Sequence, residues 1–109
     1  MNEKEYQEHI SHLLSQCHAV GNAKRKSYAN ANDVLANFKQ IAAATGMTKY
    51  QVWSVYFNKH VLSINNAIKY HPERPEDVSE SIQGRIIDCI NYLLLLNAML
   101  IEDTRKKSP

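Results

Sequence analysis

The sequence predicts an all-α protein folded as an antiparallel four-helix bundle. Apolar residues recur at three- to four-residue spacing in four separate segments, and no segment reads as a strand. The strongest breakers, Gly46 and the two prolines of HPERPEDVSE, fall between those segments rather than inside them. At 109 residues, 44% hydrophobic and 22% charged, the chain is long enough for one domain with a single core. It contains no internal repeat and no low-complexity stretch.

The first helix is expected from about Glu3 to Ala19 or beyond, with Tyr6, Ile10, Leu13, Leu14 and Cys17 on one stripe. Residues 21–32 are polar and basic and read as a loop. The second helix opens near Asn32 or Asp33 and carries Val34, Leu35, Phe38, Ile41 and Ala42 to a stop at Gly46. Thr48 starts the third, with Gln51 at the capping-box position. That helix meets no breaker before Tyr70, and its roughly 23 residues span about 34 Å. Phe57, Val61, Ile64 and Ile68 form its main stripe, while Trp53 and Tyr56 begin another side. The fourth helix, from about Val78 to Asp103, is apolar on more than one face and is expected to be the central element. Residues 86–101 within it include Asp88, Asn91 and Asn97, which favours a buried helix over a membrane span. A flexible basic tail is expected over 104–109.

The stretch GMTKYQVW raises a second possibility. Ala42, Gly46, Met47, Thr48 and Val52 stand where a helix-turn-helix needs a small residue, a left-handed turn, a helix start and an apolar plug. The same residues describe any tight helix-helix joint with a glycine C-cap and a threonine N-cap. Charge argues against DNA: 13 basic residues against 11 acidic give only +2, far from the excess of phosphate-tracking proteins. If DNA were bound, Lys49, Tyr50, Gln51 and Ser54 would be its readers. Cys17 and Cys89 form no CxxC and no ligand set, as in a reduced protein, and MNEKEYQEH lacks an apolar signal region. The expected compartment is the cytoplasm, with no membrane partner.

Polar residues interrupt two otherwise apolar helices at helical spacing. On the fourth, Arg85, Asp88 and Asn91 share a face with Tyr92 beside them; on the third, Tyr56, Lys59 or His60, Ser63 and Asn66 recur. Burying such groups unpaired costs about 1–3 kcal/mol each. Two compatible readings follow: Asp88 pairs with Lys59 or Arg85 in a network that fixes register, and the two stripes face each other across a polar pocket whose walls such pairs hold. The segment KRKSYANANDVLANF adds Lys24, Arg25 and Lys26, the ring of Tyr28, and Asn30, Asn32 and Asn37. Cations and free amides suit phosphate, asparagine amides suit base edges or ribose, and the ring suits stacking; the plain alternative is a turn-rich loop. Metal chemistry has little to build on. The histidines at 9, 12, 18, 60 and 71 are dispersed, and Glu5 and Glu8 form an ExxE on the first helix that would bind a divalent cation only with further carboxylates from elsewhere. There is no P-loop and no GxSxG elbow.

The strings K-x-Y-A-N-A-x-D-V-L-x-N-F, Q-V-W, K-H and G-R-I-x-D-x-I-N-Y-L-L-L-L, within residues 20–102, resemble the phage and bacterial family called nucleotide modification associated domain 1. That family is similar to the MazG-like all-α nucleotide pyrophosphohydrolases. The resemblance implies a MazG-like helical protein that handles nucleotides as a dimer or larger assembly, with Lys26, Tyr28, Asn30, Asn37, Lys59, Asp88 and Asn91 at the ligand. MazG-like enzymes hold magnesium with ExxE followed by ExxD. Here Arg85 stands at the glutamate position before Asp88, and the ExxE lies elsewhere. The expectation is therefore a phage-type, non-catalytic binder of a nucleotide or nucleotide-derived signal, such as a host defence messenger, acting in the host cytoplasm with no required cofactor. Its expected ligand residues are Lys24, Lys26, Tyr28, Asn30, Asn37, Trp53, Tyr56, Lys59, His60, Arg85, Asp88 and Asn91. The alternative is a magnesium-dependent pyrophosphohydrolase using Asp88 with Glu5, Glu8 or Asp33. Two apolar stripes on the fourth helix, through Ile82, Ile86, Cys89, Leu93, Leu96 and Leu100 and through Ile87, Ile90, Leu94, Ala98 and Ile101, exceed what four helices cover. A homo-oligomer is expected, a dimer or a dimer of dimers, with the pocket close to the subunit boundary and Lys59 reaching across it.

Overall fold

A computed structural model describes residues 1–28, 32–77 and 80–107, apart from the side chains of Ser27, Tyr28 and Lys107. Its elements are four helices, α1 (Glu3–Tyr28), α2 (Ala36–Thr45), α3 (Lys49–Tyr70) and α4 (Ile82–Lys107), and among the described residues there is no strand.

The α2–α3 joint follows directly from its residues. Gly46 takes the left-handed conformation at φ 75° and its N–H bonds the Ala42 carbonyl, ending α2. Thr48 then opens α3 with a reciprocal capping box: its hydroxyl accepts from the Gln51 N–H at 3.1 Å, and the Gln51 side chain accepts from the Thr48 N–H at 2.8 Å. Val52 is buried beneath the joint. GMTKYQVW is a helix-helix connection.

Other boundaries differ from expectation. Residues 21–28 continue α1 rather than forming a loop. Gly21 is tolerated there because α1 meets α4 at that point: a Cβ would lie 2.9 Å from Arg25 Nη1 and 3.3 Å from Asn91 Oδ1. Arg25 and Lys26 then sit in the last turn of α1, where cations complement the helix dipole. Asn32 and Asp33 do not begin α2. The Asp33 carboxylate accepts the Leu35 N–H at 3.0 Å and its carbonyl the Ala36 N–H at 3.2 Å, a local turn that delays the helix to Ala36. α4 starts at Ile82, with the Ser81 hydroxyl accepting the Gly84 N–H, and runs on to Lys107.

α4 packs on α3 and α1, and α2 packs on α3. The core joins Leu35, Phe38, Val52, Trp53 and Met99. Trp53 stacks on Phe57 at 4.7 Å and donates its indole N–H to the Tyr92 carbonyl at 2.6 Å. Early α3 meets late α4 again where Lys49 Nζ lies 2.5 Å from Asp103 and the Tyr50 hydroxyl donates to the same carboxylate. These contacts run α3 and α4 antiparallel.

The fourth helix corrects a larger expectation. It is long and apolar enough to cross a membrane by length and composition, yet only 17% of its most apolar window is buried. It is central in its contacts but not enclosed, because α1 and α3 cover one side and leave Ile86, Leu93, Leu94, Leu100 and Ile101 exposed. The Cα radius of gyration is 16.3 Å, where a compact domain of this length has about 13 Å.

Candidate ligand cleft

Asp88 is the fixed point of the site. It projects from α4 with its side chain 5% exposed, and Lys24 of α1 places Nζ 2.5 Å from Oδ1. A carboxylate so deeply buried needs such a partner. The network expected around Asp88 therefore forms with a different cation: neither Lys59 nor Arg85 holds it. Arg85 turns to the acidic loop before α4, its Nε donating to Asp77 at 3.1 Å and Nη1 lying 3.4 Å from Glu80. It lines a separate shallow hollow with Ser63 and Asn66.

His60 of α3 stands on the other side of the carboxylate. Its Nδ1 lies 3.7 Å from Asp88 Oδ2, beyond hydrogen-bond range, and is buried with no hydrogen-bond partner among the described residues. The ring tilts against Tyr92 at 5.2 Å. Burial pulls the His60 pKa below its ordinary value, outweighing the opposing pull of Asp88, and the charges of Arg85, Lys24 and Lys59 act in the same direction as burial. Burial thus favours the neutral imidazole, and the Asp88 contact is too long for a hydrogen bond. Asn91, one turn along α4, donates to the Cys17 carbonyl at 2.9 Å and lies against Gly21, so it also fastens α1 to α4.

Around these groups lies a cleft of about 440 Å³. Lys24 and Arg25 of α1, Asn37 of α2, and Tyr56, Lys59 and His60 of α3 meet Asp88 and Asn91 of α4 there. Phe38, Val34, Tyr92 and Leu95 supply an apolar wall. The guanidinium of Arg25 is steadied by the Asn22 side chain. Lys59 is exposed and has no ion pair among the described residues. The lining carries three permanent cations against one carboxylate, together with amides and aromatic rings, so it suits an anion that also has a planar group.

Seven expected ligand residues meet here: Lys24, Asn37, Tyr56, Lys59, His60, Asp88 and Asn91. Trp53 does not; it belongs to the core, where stacking on Phe57 and the bond to Tyr92 occupy its ring and N–H. Arg85 belongs to the acidic loop. Lys26, exposed in the last turn of α1, is not among the lining residues, whereas Arg25 beside it is. The Tyr28 side chain and Asn30 lie outside the described residues. Gly21, Val34, Phe38 and Leu95 were not expected in the lining; apolar residues at helical spacing look the same whether they face a core or a cleft.

The groups proposed for other chemistries are used elsewhere. Glu5 and Glu8 are exposed near the start of α1 and do not line the cleft. Asp33 caps its turn and pairs with Lys39 at 2.7 Å, which holds its carboxyl below the usual range. Among the described residues, no three His, Cys, Asp or Glu side chains are placed to hold a metal ion together. The candidate DNA readers Lys49 and Tyr50 are bound to Asp103, and Gln51 is spent in the capping box. The Tyr50 hydroxyl is pushed up to about 12, chiefly by donating to Asp103. Compared with protein-family models, curated proteins and solved structures, the chain has no significant match.

Proposed function

We propose that the cleft binds a nucleotide or nucleotide-derived small molecule without turning it over, and that the helices form a MazG-like bundle completed by a further copy of the chain. One observation supports this reading above the others. Lys24, Arg25 and Lys59 surround a cleft whose walls also offer the Asn37 amide and the rings of Tyr56 and Tyr92. Phosphate meets the cations, and Lys59, unlike Lys24, is claimed by no carboxylate among the described residues. The base or ribose meets amides and ring faces. The carboxylate of Asp88 serves to hold Lys24 in place.

A phage-encoded protein with this property would sequester a nucleotide signal in the host cytoplasm. The test is titration calorimetry against mono-, di- and cyclic nucleotides and ADP-ribose derivatives. The expected result is saturable binding by at least one of them. Lys59→Ala should then weaken that binding by about 10- to 100-fold, matching the about 1.5–3 kcal/mol of a hydrogen bond to a charged group. Silence across the panel at protein concentrations well above micromolar would overturn the reading.

A further inference from the structure

The cleft leaves the uncovered face of α4 unused. Ile86, Leu93, Leu94, Leu100 and Ile101 are all exposed, and at 100° per residue they lie on the side of the helix opposite Asp88, Asn91 and Tyr92. From Cys89 to Ile101 the helix carries no Asp, Glu, Lys, Arg or His. The accessible surface of the whole chain is 8004 Å², roughly 1,800 Å² more than the about 6,200 Å² that a folded monomer of this mass exposes. A stable pair of proteins buries about 800 Å² on each partner. Part of that surplus is the projecting first half of α1, and part is this face of α4.

Building on the further copy of the chain proposed above, we propose that this second copy covers this face, docked about a two-fold axis with Asn97 opposite its own counterpart. Ile86, Ile90, Leu93, Asn97, Leu100 and Thr104 follow one another at spacings of four, three, four, three and four, the pattern of a seam between paired helices. A two-fold contact brings the same patch together from both copies, so the patch must complement itself. An uncharged apolar stripe does. Asn97 is the one amide in the stripe, and opposite an aliphatic side chain it would lose its hydrogen bonds. Set against another Asn97, each amide both donates and accepts, which fixes the register. A lipid surface would gain nothing from that amide. The cleft lies on the opposite side of α4, so it stays away from the subunit boundary and Lys59 serves its own chain.

Light scattering at micromolar concentration should give a mass near twice the 12.5 kDa of the chain; a mass of one chain overturns the proposal. Leu93→Glu with Leu100→Glu should halve that mass while circular dichroism keeps its helical signal, and a doubled mass that survives the exchange places the contact elsewhere. A readout that does not depend on weakening the face is Asn97→Cys in a Cys89→Ser background. Under mild oxidation it should form a disulfide-linked pair on a non-reducing gel. Failure to link while the mass remains doubled refutes the Asn97 register. Flotation with phosphatidylcholine–phosphatidylglycerol vesicles should leave the protein unbound, and recovery of single chains with the lipid overturns the choice of occupant.

Discussion

At the scale of single residues, two positions carry separable consequences. Gly46 has open space where a Cβ would stand, so the cost of a side chain there comes from its positive φ alone. Gly46→Ala should lower stability by about 1–2 kcal/mol, the penalty for an L-residue in the left-handed region, read as an earlier urea midpoint with unchanged slope. His60 couples the cleft to pH. Its folded pKa lies below the ordinary value of 6.5, so between those two values the unfolded chain binds the extra proton. Stability should therefore hold above pH 6.5, fall as pH drops through that value, and level off below the folded pKa. His60→Gln should remove part of the drop in urea midpoint between pH 7.5 and pH 5.5. An equal drop in both proteins would mean that His60 is not the group responsible.

Among the elements, the chain ends of α2, α3 and α4 are tied by charge. Lys39 reaches Asp33 at 2.7 Å and Glu102 at 2.8 Å, while Lys49 and Tyr50 converge on Asp103. The shared hydrogen bond should be visible in the tyrosine itself. In Asp103→Asn, Tyr50 should ionise closer to its ordinary value of 10 instead of about 12, followed by NMR of ring-labelled tyrosine across the alkaline range. The other end of α4 is tied differently, through Lys24 to Asp88 and Asn91 to the Cys17 carbonyl. Those two bonds position the basic end of α1 at the cleft. The first half of α1 is largely exposed, with Tyr6 and Leu14 each more than half exposed, so α1 owes its place to residues 17–24.

For the whole molecule, the few fully buried side chains and the open α4 face set how stability should depend on concentration. If folding and pairing are linked, the midpoint of thermal unfolding should rise with protein concentration, because pairing draws on the folded state by mass action. A midpoint that stays constant from 1 to 100 µM would show that a single chain supplies its own stability.

The sequence by itself determined the four helices and the α2–α3 joint. A left-handed glycine, a capping box and an apolar repeat are each written in residues within a few positions of one another, and local hydrogen bonding and sterics decide them. It also marked Tyr56, Lys59, His60, Asp88 and Asn91, because polar groups at helical spacing on apolar helices demand an explanation wherever they fall, and Lys24 and Asn37 through the basic, amide-rich segment 24–38. Only the tertiary structure decided which cation Asp88 meets. Lys24, Lys59 and Arg85 all had the charge and reach, and the choice depended on how α1 approaches α4 over Gly21, a contact between residues some 70 positions apart. The same holds for Trp53, whose stripe could face a core or a cleft until α4 offered its N–H the Tyr92 carbonyl. The uncovered side of α4 was equally beyond a sequence pattern, since periodicity shows that a face is apolar but not whether another helix lies against it.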